Sequence, residues 1–193
     1  LDDININTNN KGRDSYLDID APFVNLHTRG QYDLGTLYSS IQNIVADKLP
    51  TLPGIKKTKK RGDNDFTLQG NVYSTEILQR IFGIQLDISS PIHINGNLSE
   101  QNEELNLFVN APLFSYNGKP FHNGNIEVTT QGKELCMDAH VCQGLSFEMA
   151  PEYALRAKAC DNVLNTKVNY DNHSKKLPVK GFLDAETQFG KNE

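Results

Sequence analysis

At 193 residues, with 37% hydrophobic content and a formal net charge of −5, the chain has room for one domain or two small ones. The modest negative charge implies no phosphate-binding surface, and the low apolar content suits an alternating sheet with one wet face better than a dense globule. No apolar run reaches the ~18–20 residues of a membrane helix. The chain starts at Leu1, not Met, which reads as an excised fragment or mature segment, so a missing leader excludes nothing.

Ile4 and Ile6 alternate within residues 1–7 and predict an edge strand, with a turn over 9–14. Residues 17–32 alternate imperfectly around Pro22 and read as one broken strand or two. Leu34, Leu37, Ile41, Ile44, Val45 and Leu49 recur at helical spacing, Asp33 can cap, and Pro50 stops the run, so a helix is predicted over 34–49. Residues 51–64 hold Pro53-Gly54 and the basic run Lys56-Lys57-Thr58-Lys59-Lys60-Arg61, a mobile solvated linker with a lipid head-group contact as its alternative. A strand over 66–73 and a short helix over 75–82, ended by Gly83, follow. Residues 1–64 thus form N-terminal strands, a helix and a basic linker. Residues 65–193 form a strand–helix unit and an antiparallel meander, continuous with the first part.

From Pro91 to Phe189 the turns can be placed from residue chemistry. Asn117-Gly118 is the favoured two-residue hairpin turn and sets Tyr116 opposite Lys119 and Phe114 opposite Phe121. A turn at Gln131-Gly132 sets Val128 opposite Leu135 and Ile126 opposite Met137. The loop over 99–104 sets Leu98 opposite Leu105 and Ile94 opposite Val109. A turn at Ala150-Pro151-Glu152 brings Met149 to Tyr153 and Phe147 to Leu155, which makes residues 145–149 a strand. Asp161-Asn162 pairs Ala159 with Leu164 and Leu155 with Val168. The loop over 171–176 pairs Tyr170 with Leu177, Val168 with Val179 and Leu164 with Leu183. Each proposal sets apolar against apolar, as a correct register requires. Phe114 and Phe121 fall out of phase with Val109 and Ile126, and a bulge at Ala111-Pro112 and Asn123-Gly124 would repair this.

Catalytic or metal chemistry finds no footing. Cys136, Asp138, His140 and Cys142 alternate on one strand, and ligands strung out over ~20 Å cannot close on a metal. Cys142 and Cys160 lie equally far from Pro151 and are candidates for a cross-strand bond, with unpaired thiols as the alternative. No serine or cysteine sits in a nucleophile context and no glycine-rich loop opens a helix. No enzyme, cofactor, metal or nucleic-acid partner is expected.

The fold expected is mainly β, a long antiparallel meander curled into a trough or half-barrel with an apolar interior and two short amphipathic helices. Its lining set is Ile92, Ile94, Leu98, Leu105, Leu107, Val109, Ile126, Val128, Leu135, Met137, Phe147, Leu155, Val168 and Leu183. Such a stripe exceeds what two helices can cover, and contiguous apolar patches of that size mark binding sites or buried cores.

Three stretches carry a family resemblance. These are Asp65-Phe66-Thr67-Leu68-Gln69-Gly70-Asn71-Val72 with the helix after it, Leu107-x-Val109-x-Ala111-Pro112-x-Phe114-x-Tyr116-x-Gly118, and Val168-Asn169-Tyr170-Asp171-Asn172-His173 followed by Gly181-Phe182-Leu183-Asp184-Ala185-Glu186-Thr187-Gln188-Phe189. They resemble segments of TamB-type, AsmA-like envelope proteins of Gram-negative bacteria. The resemblance implies a non-enzymatic internal or C-terminal piece of a periplasmic, inner-membrane-anchored protein. Such a protein holds a hydrophobic groove for phospholipid transport and outer-membrane biogenesis, with an outer-membrane barrel partner engaged through regions outside this segment. The competing expectation is a structural or adhesive β-sandwich repeat that binds protein or glycan partners.

Overall fold

The computed structural model describes residues 3–59, 62–146 and 149–190. The chain is mainly β, and its strands join one open antiparallel sheet of twelve. Strands β1 (Asn5–Asn9), β2 (Tyr16–Ala21) and β3 (Val24–Gln31) are followed by helix α1 (Leu34–Lys48). Strand β4 (Asp65–Val72) leads through the short helix α2 (Glu76–Phe82) to β5 (Leu86–Ile88) and β6 (Ile92–Ser99). The meander continues as β7 (Glu104–Tyr116), β8 (Lys119–Gln131), β9 (Glu134–Gln143), β10 (Glu152–Cys160), β11 (Val163–Asp171) and β12 (Lys180–Gln188). Spatial order follows chain order, except that β5 lies beside the far half of β7.

Local chemistry explains the joints. Pro22-Phe23 turns the chain between β2 and β3, with Ala21 opposite Val24, so residues 17–32 are two strands. Asn117 and Gly118 both take positive φ, 49° and 74°, and Tyr116 faces Lys119 with Phe114 facing Phe121. Asp161 and Asn162 do the same at 49° and 67°, and Leu155 faces Val168. Short polar side chains tolerate this left-handed region, which most L-residues avoid. The loop after β6 sets Leu98 against Leu105 and Ile94 against Val109.

Three expected joints differ. After β8 the turn is Gly132-Lys133, so Val128 faces Met137 and Thr130 faces Leu135. Gly132, at φ 61°, supplies the one positive φ a type II′ turn needs, at its first central position. Leu145, Ser146 and Met149 belong to no strand. Strand β9 pairs β10 directly, with Val141 opposite Tyr153 and Ala139 opposite Leu155. Gly144, at φ 107°, turns the chain aside and its N–H goes to the Pro120 carbonyl, while Gln143 N donates to Pro151 O. Of the expected Phe147–Leu155 pair, Phe147 lies outside the described residues. After β11 the loop is longer than expected, and Tyr170 faces Gly181, Val168 faces Leu183 and Leu164 faces Thr187. Asn172 Oδ1 accepts from Ser174 N and Val179 N, and Asp171 Oδ1 from His173 N, which holds the extra residues in side-chain-closed turns.

The bulge falls at Asn123-Gly124. Asn123 takes φ 54°, and the β8–β9 register shifts between His122 and Asn125. The β7–β8 ladder skips the pair between Ala111–Gly124 and Leu113–His122 but keeps its register, so Pro112 shifts nothing on that side.

Helix α1 is capped as expected, with Asp33 Oδ1 accepting from Gly35 N at 2.8 Å. Its orientation is not the expected one. Leu34 and Ile41 are exposed, while Thr36, Ser40, Asn43 and Ile44 are buried. The polar side is turned in because it is bonded there. Ser40 Oγ donates to Glu100 Oε2 at 2.8 Å, Asn64 Nδ2 donates to Ser40 Oγ at 2.8 Å and to Thr36 Oγ1 at 3.1 Å, and Gly62 N reaches Glu100 Oε2 at 3.0 Å. Buried polar groups are tolerated when so paired. The stretch after α1 is tied down: Lys57 bonds Asp47, and Thr58 N donates to Asn43 Oδ1 at 2.7 Å. Lys60 and Arg61 lie outside the described residues. The buried apolar set is small, with Ile44, Ala46, Leu49, Leu98 and Ala159 gathered where α1 meets the sheet.

That distribution makes a testable contrast. Ile44→Ala is expected to cost about 2–4 kcal/mol in urea unfolding, as for a buried core residue. Leu183→Ala, at a position 56% exposed, is expected to cost under ~0.5 kcal/mol. Equal losses would show that the sheet's outer half is as sealed as the α1 end.

Candidate functional site: the two faces of the sheet

The pleat sorts residues by parity, and the ladders keep that parity except at the Asn123 bulge, where the β8–β9 register shifts. One cross-strand file runs Ile6, Ile19, Leu26, Gly70, Ile94, Val109, Ile126, Ala139, Leu155, Val168, Leu183. The next file on the same face holds Leu17, Leu68, Leu107, Val128 and Met137. Ile92, Leu98, Leu105 and Leu135 share that face nearer the strand ends. All the expected lining residues that are described therefore fall together. The face is not closed over them: Ile6 and Leu183 at the two edges are more than half exposed, and Ile126 in the middle is 39% exposed.

A depression of about 380 Å³ opens on this face between β7 and β11. Val109, Ile126, Leu155 and Val168 line it from the expected set. Ile92, Ile94, Leu98, Leu105, Leu107, Val128, Leu135, Met137 and Leu183 stand outside it on the same sheet. Phe114, Tyr116, Phe121, Val141 and Tyr153 also line it, and these the sequence reading left out. Phe114 and Phe121 stack with ring centroids 5.4 Å apart. They reach the same hollow as Val109 because the chain changes phase at the Asn123 bulge. The signal was present in the Asn117-Gly118 pairing together with the Gly124 irregularity.

The opposite face is polar and largely self-paired. Asp18 takes Arg29 and His27, Arg156 Nε bonds Asp138 at 2.6 Å, Lys158 meets Glu134 at 2.7 Å, and Lys167 meets Asp184 at 3.0 Å. Glu152 receives His173 Nε2 at 2.9 Å and His140 Nε2 at 3.1 Å. His173, and after it His140, hold the Glu152 carboxyl below its ordinary value, against a smaller upward push from burial. Arg29 and then His27 do the same for Asp18.

The four strand residues weighed as metal ligands have other partners or stay thiols. Asp138 is taken by Arg156, and His140 Nδ1 donates to the Asn123 carbonyl at 3.1 Å. Burial pushes the Cys136 and Cys142 thiols up. Among the described residues no three metal-ligating side chains gather. Cys142 faces Glu152 and Cys160 faces Val163, so these two cysteines sit at opposite ends of β10 and no bond can join them. Among the described residues no helix is long and apolar enough to cross a membrane. No protein-family model matches the chain, and no curated protein or solved structure matches it.

The Glu152 cluster predicts a pH dependence. A carboxyl whose folded pKa is depressed stabilises the fold above its unfolded value, near pH ~4.3, and loses that contribution as pH falls through the folded value. Glu152→Gln is expected to lower the melting temperature at about pH 6 by roughly 1–3 °C, small because the pair is solvent-accessible. By about pH 3 variant and parent should melt together. A deficit that persists undiminished at low pH would assign Glu152 a role other than its ion pairs.

Proposed function

We propose that the chain is a non-enzymatic segment of a lipid conduit, and that its apolar face holds the acyl chains of phospholipid. The observation that carries this reading is the apolar file from β1 to β12, half-buried along most of its length and exposed at Ile6, Ile126 and Leu183. Leaving Leu, Ile and Phe side chains in water forgoes about 1.5–3 kcal/mol each. An acyl chain recovers that without needing directional contacts. The hollow lined by the Phe114–Phe121 stack, Ile126 and Leu155 is a seat for such a chain.

A curled trough, rather than a flat plate, is favoured by how α1 is tied. At one end Asp33 N donates to Asn64 Oδ1, next to β4. At the other, Lys48 O receives Asn162 N from the β10–β11 turn. Helix α1 has 15 residues and is about 22 Å long at 1.5 Å per residue. Along the sheet the same points are roughly six interstrand steps of ~4.8 Å apart, near 29 Å. A tie no longer than the span it bridges favours a weak curl of the sheet at that end.

The resemblance to TamB-type proteins points the same way. It places the chain in the periplasm as part of an inner-membrane-anchored protein, with phospholipid as cargo and outer-membrane biogenesis as the process served.

The test puts a carboxylate on the apolar face, in the hollow at Val109 and outside it at Val128. Val109→Asp and Val128→Asp are expected to stay folded, since water or head groups reach the site, and to lose fluorescent fatty-acid binding at least tenfold, about 1.4 kcal/mol. In a dry core an unpaired carboxylate unfolds the protein. Unfolding of both variants, with no fatty-acid binding by the parent, would leave a structural β repeat as the function.

A further inference from the structure

Two aromatic residues break the pattern of the polar face, Phe182 on the edge strand β12 and Phe108 in the middle of the sheet, and only Phe108 is flanked by strands on both sides. Along the cross-strand file Gln69, Asn95, Phe108, Glu127, Asp138, Arg156, every residue but Phe108 is polar. Phe108 is 43% exposed. A large apolar residue on the wet side of a sheet has a packing cost and no packing partner, and such violations concentrate at functional positions. Phe108 borders a depression of about 790 Å³ lined mostly by residues of this face, among them that whole file and Asn110 and Asn125 in the next, with the strand residues between them such as Val109 and Ile126 also at its wall.

The chemistry around the ring is selective. The nearby charges are spent on one another: Asp138 on Arg156, Glu152 on His140 and His173. Among the described residues, the side chains of Gln69, Asn95 and Glu127 make no hydrogen bond. An amide offers both donors and an acceptor, and a carboxylate accepts from two hydroxyls. What remains is hydrogen-bonding capacity with little free charge, set around one aromatic face. A phosphodiester would meet Glu127 and a chain of net charge −5, and an acyl chain would bury the amides unpaired. A neutral polyhydroxyl ligand fits both conditions. Its ring C–H face covers Phe108 while its equatorial hydroxyls reach the amides. Strands lie ~4.8 Å apart, so a linear chain laid across them meets a new polar side chain at intervals comparable with one sugar ring.

We propose that this face binds a neutral oligosaccharide, with one pyranose stacked on Phe108 and its hydroxyls bonded to Gln69, Asn95 and Glu127. The inference uses the face opposite the acyl-chain hollow and stands independently of that reading.

Calorimetric titration of the whole chain with cellohexaose, maltohexaose and chitohexaose in separate arms tests it. Saturable binding to at least one is expected. Phe108→Ala should weaken it by about tenfold or more, and Phe108→Tyr should retain it. Gln69→Ala and Asn95→Ala, at exposed positions, should weaken it about three- to tenfold each without changing the melting temperature. Phe182→Ala, which removes an aromatic 83% exposed at the sheet edge, should leave it unchanged. Heats no larger than dilution for all three sugars would overturn the proposal. So would binding that survives Phe108→Ala, or binding that is lost with Phe182→Ala instead.

Discussion

A strand's side chains alternate with a period of two, and here one parity runs through the ladders from β1 to β12, broken only at the Asn123 bulge among the described residues. That constraint sends the apolar residues to one face of a single sheet. Domains ordinarily bury such a face against a second layer. The second layer here is α1, with 15 residues, and the coil that follows it. It reaches one end of the strands, where Ile44, Leu49, Leu98 and Ala159 are buried. Even there much of the contact is polar, through Thr36, Ser40, Asn64 and Glu100. The interface is thus fixed in position by hydrogen bonds more than driven by area. The consequence is a sheet with a pinned end and an open expanse.

The two faces then have different chemistry and different uses. The apolar face offers area without direction, which suits a ligand with no polar groups of its own along its length. The polar face carries ion pairs at its two ends, on β2–β3 and on β9–β12, and between them a few amides stay idle around Phe108. The clustered charges neutralise one another, so the surface has little field to steer ions.

The face assignment was more legible than the pairing. Asn117-Gly118 and Asp161-Asn162 turned where their chemistry says, because both central residues tolerate positive φ. At Gly132 the turn used the glycine first and Lys133 second, which moved the partners of β8 by two. After β11, Asn172 and Asp171 captured backbone amides and moved the partners by four. Both slips are even, and an even slip leaves every side chain on its original face. That is why Val128, Leu135 and Met137 stayed with the apolar set although their partners changed. Leu145 and Met149 were misread because alternation alone does not supply a neighbour to pair with, and Gly144 had already turned the chain away. The helix was legible from its cap and periodicity, but its inward side was not, since the partners that decide it, Asn64 and Glu100, are remote in sequence. Phe114 and Phe121 were missed as lining because a bulge reverses phase, and a periodic pattern carries no mark of where phase is lost. Tyr153 is in phase with Leu155 and was missed because its partner is Val141 of β9, not Met149.

The central claim is that the apolar face is open and takes a lipid. Native mass spectrometry on the chain, purified without detergent after incubation with phosphatidylethanolamine–phosphatidylglycerol vesicles, tests it most directly. The account predicts a population heavier than the bare chain by one phospholipid, which releases that lipid on collisional activation. A spectrum of bare chain alone, from protein whose fold is intact by circular dichroism, would contradict it.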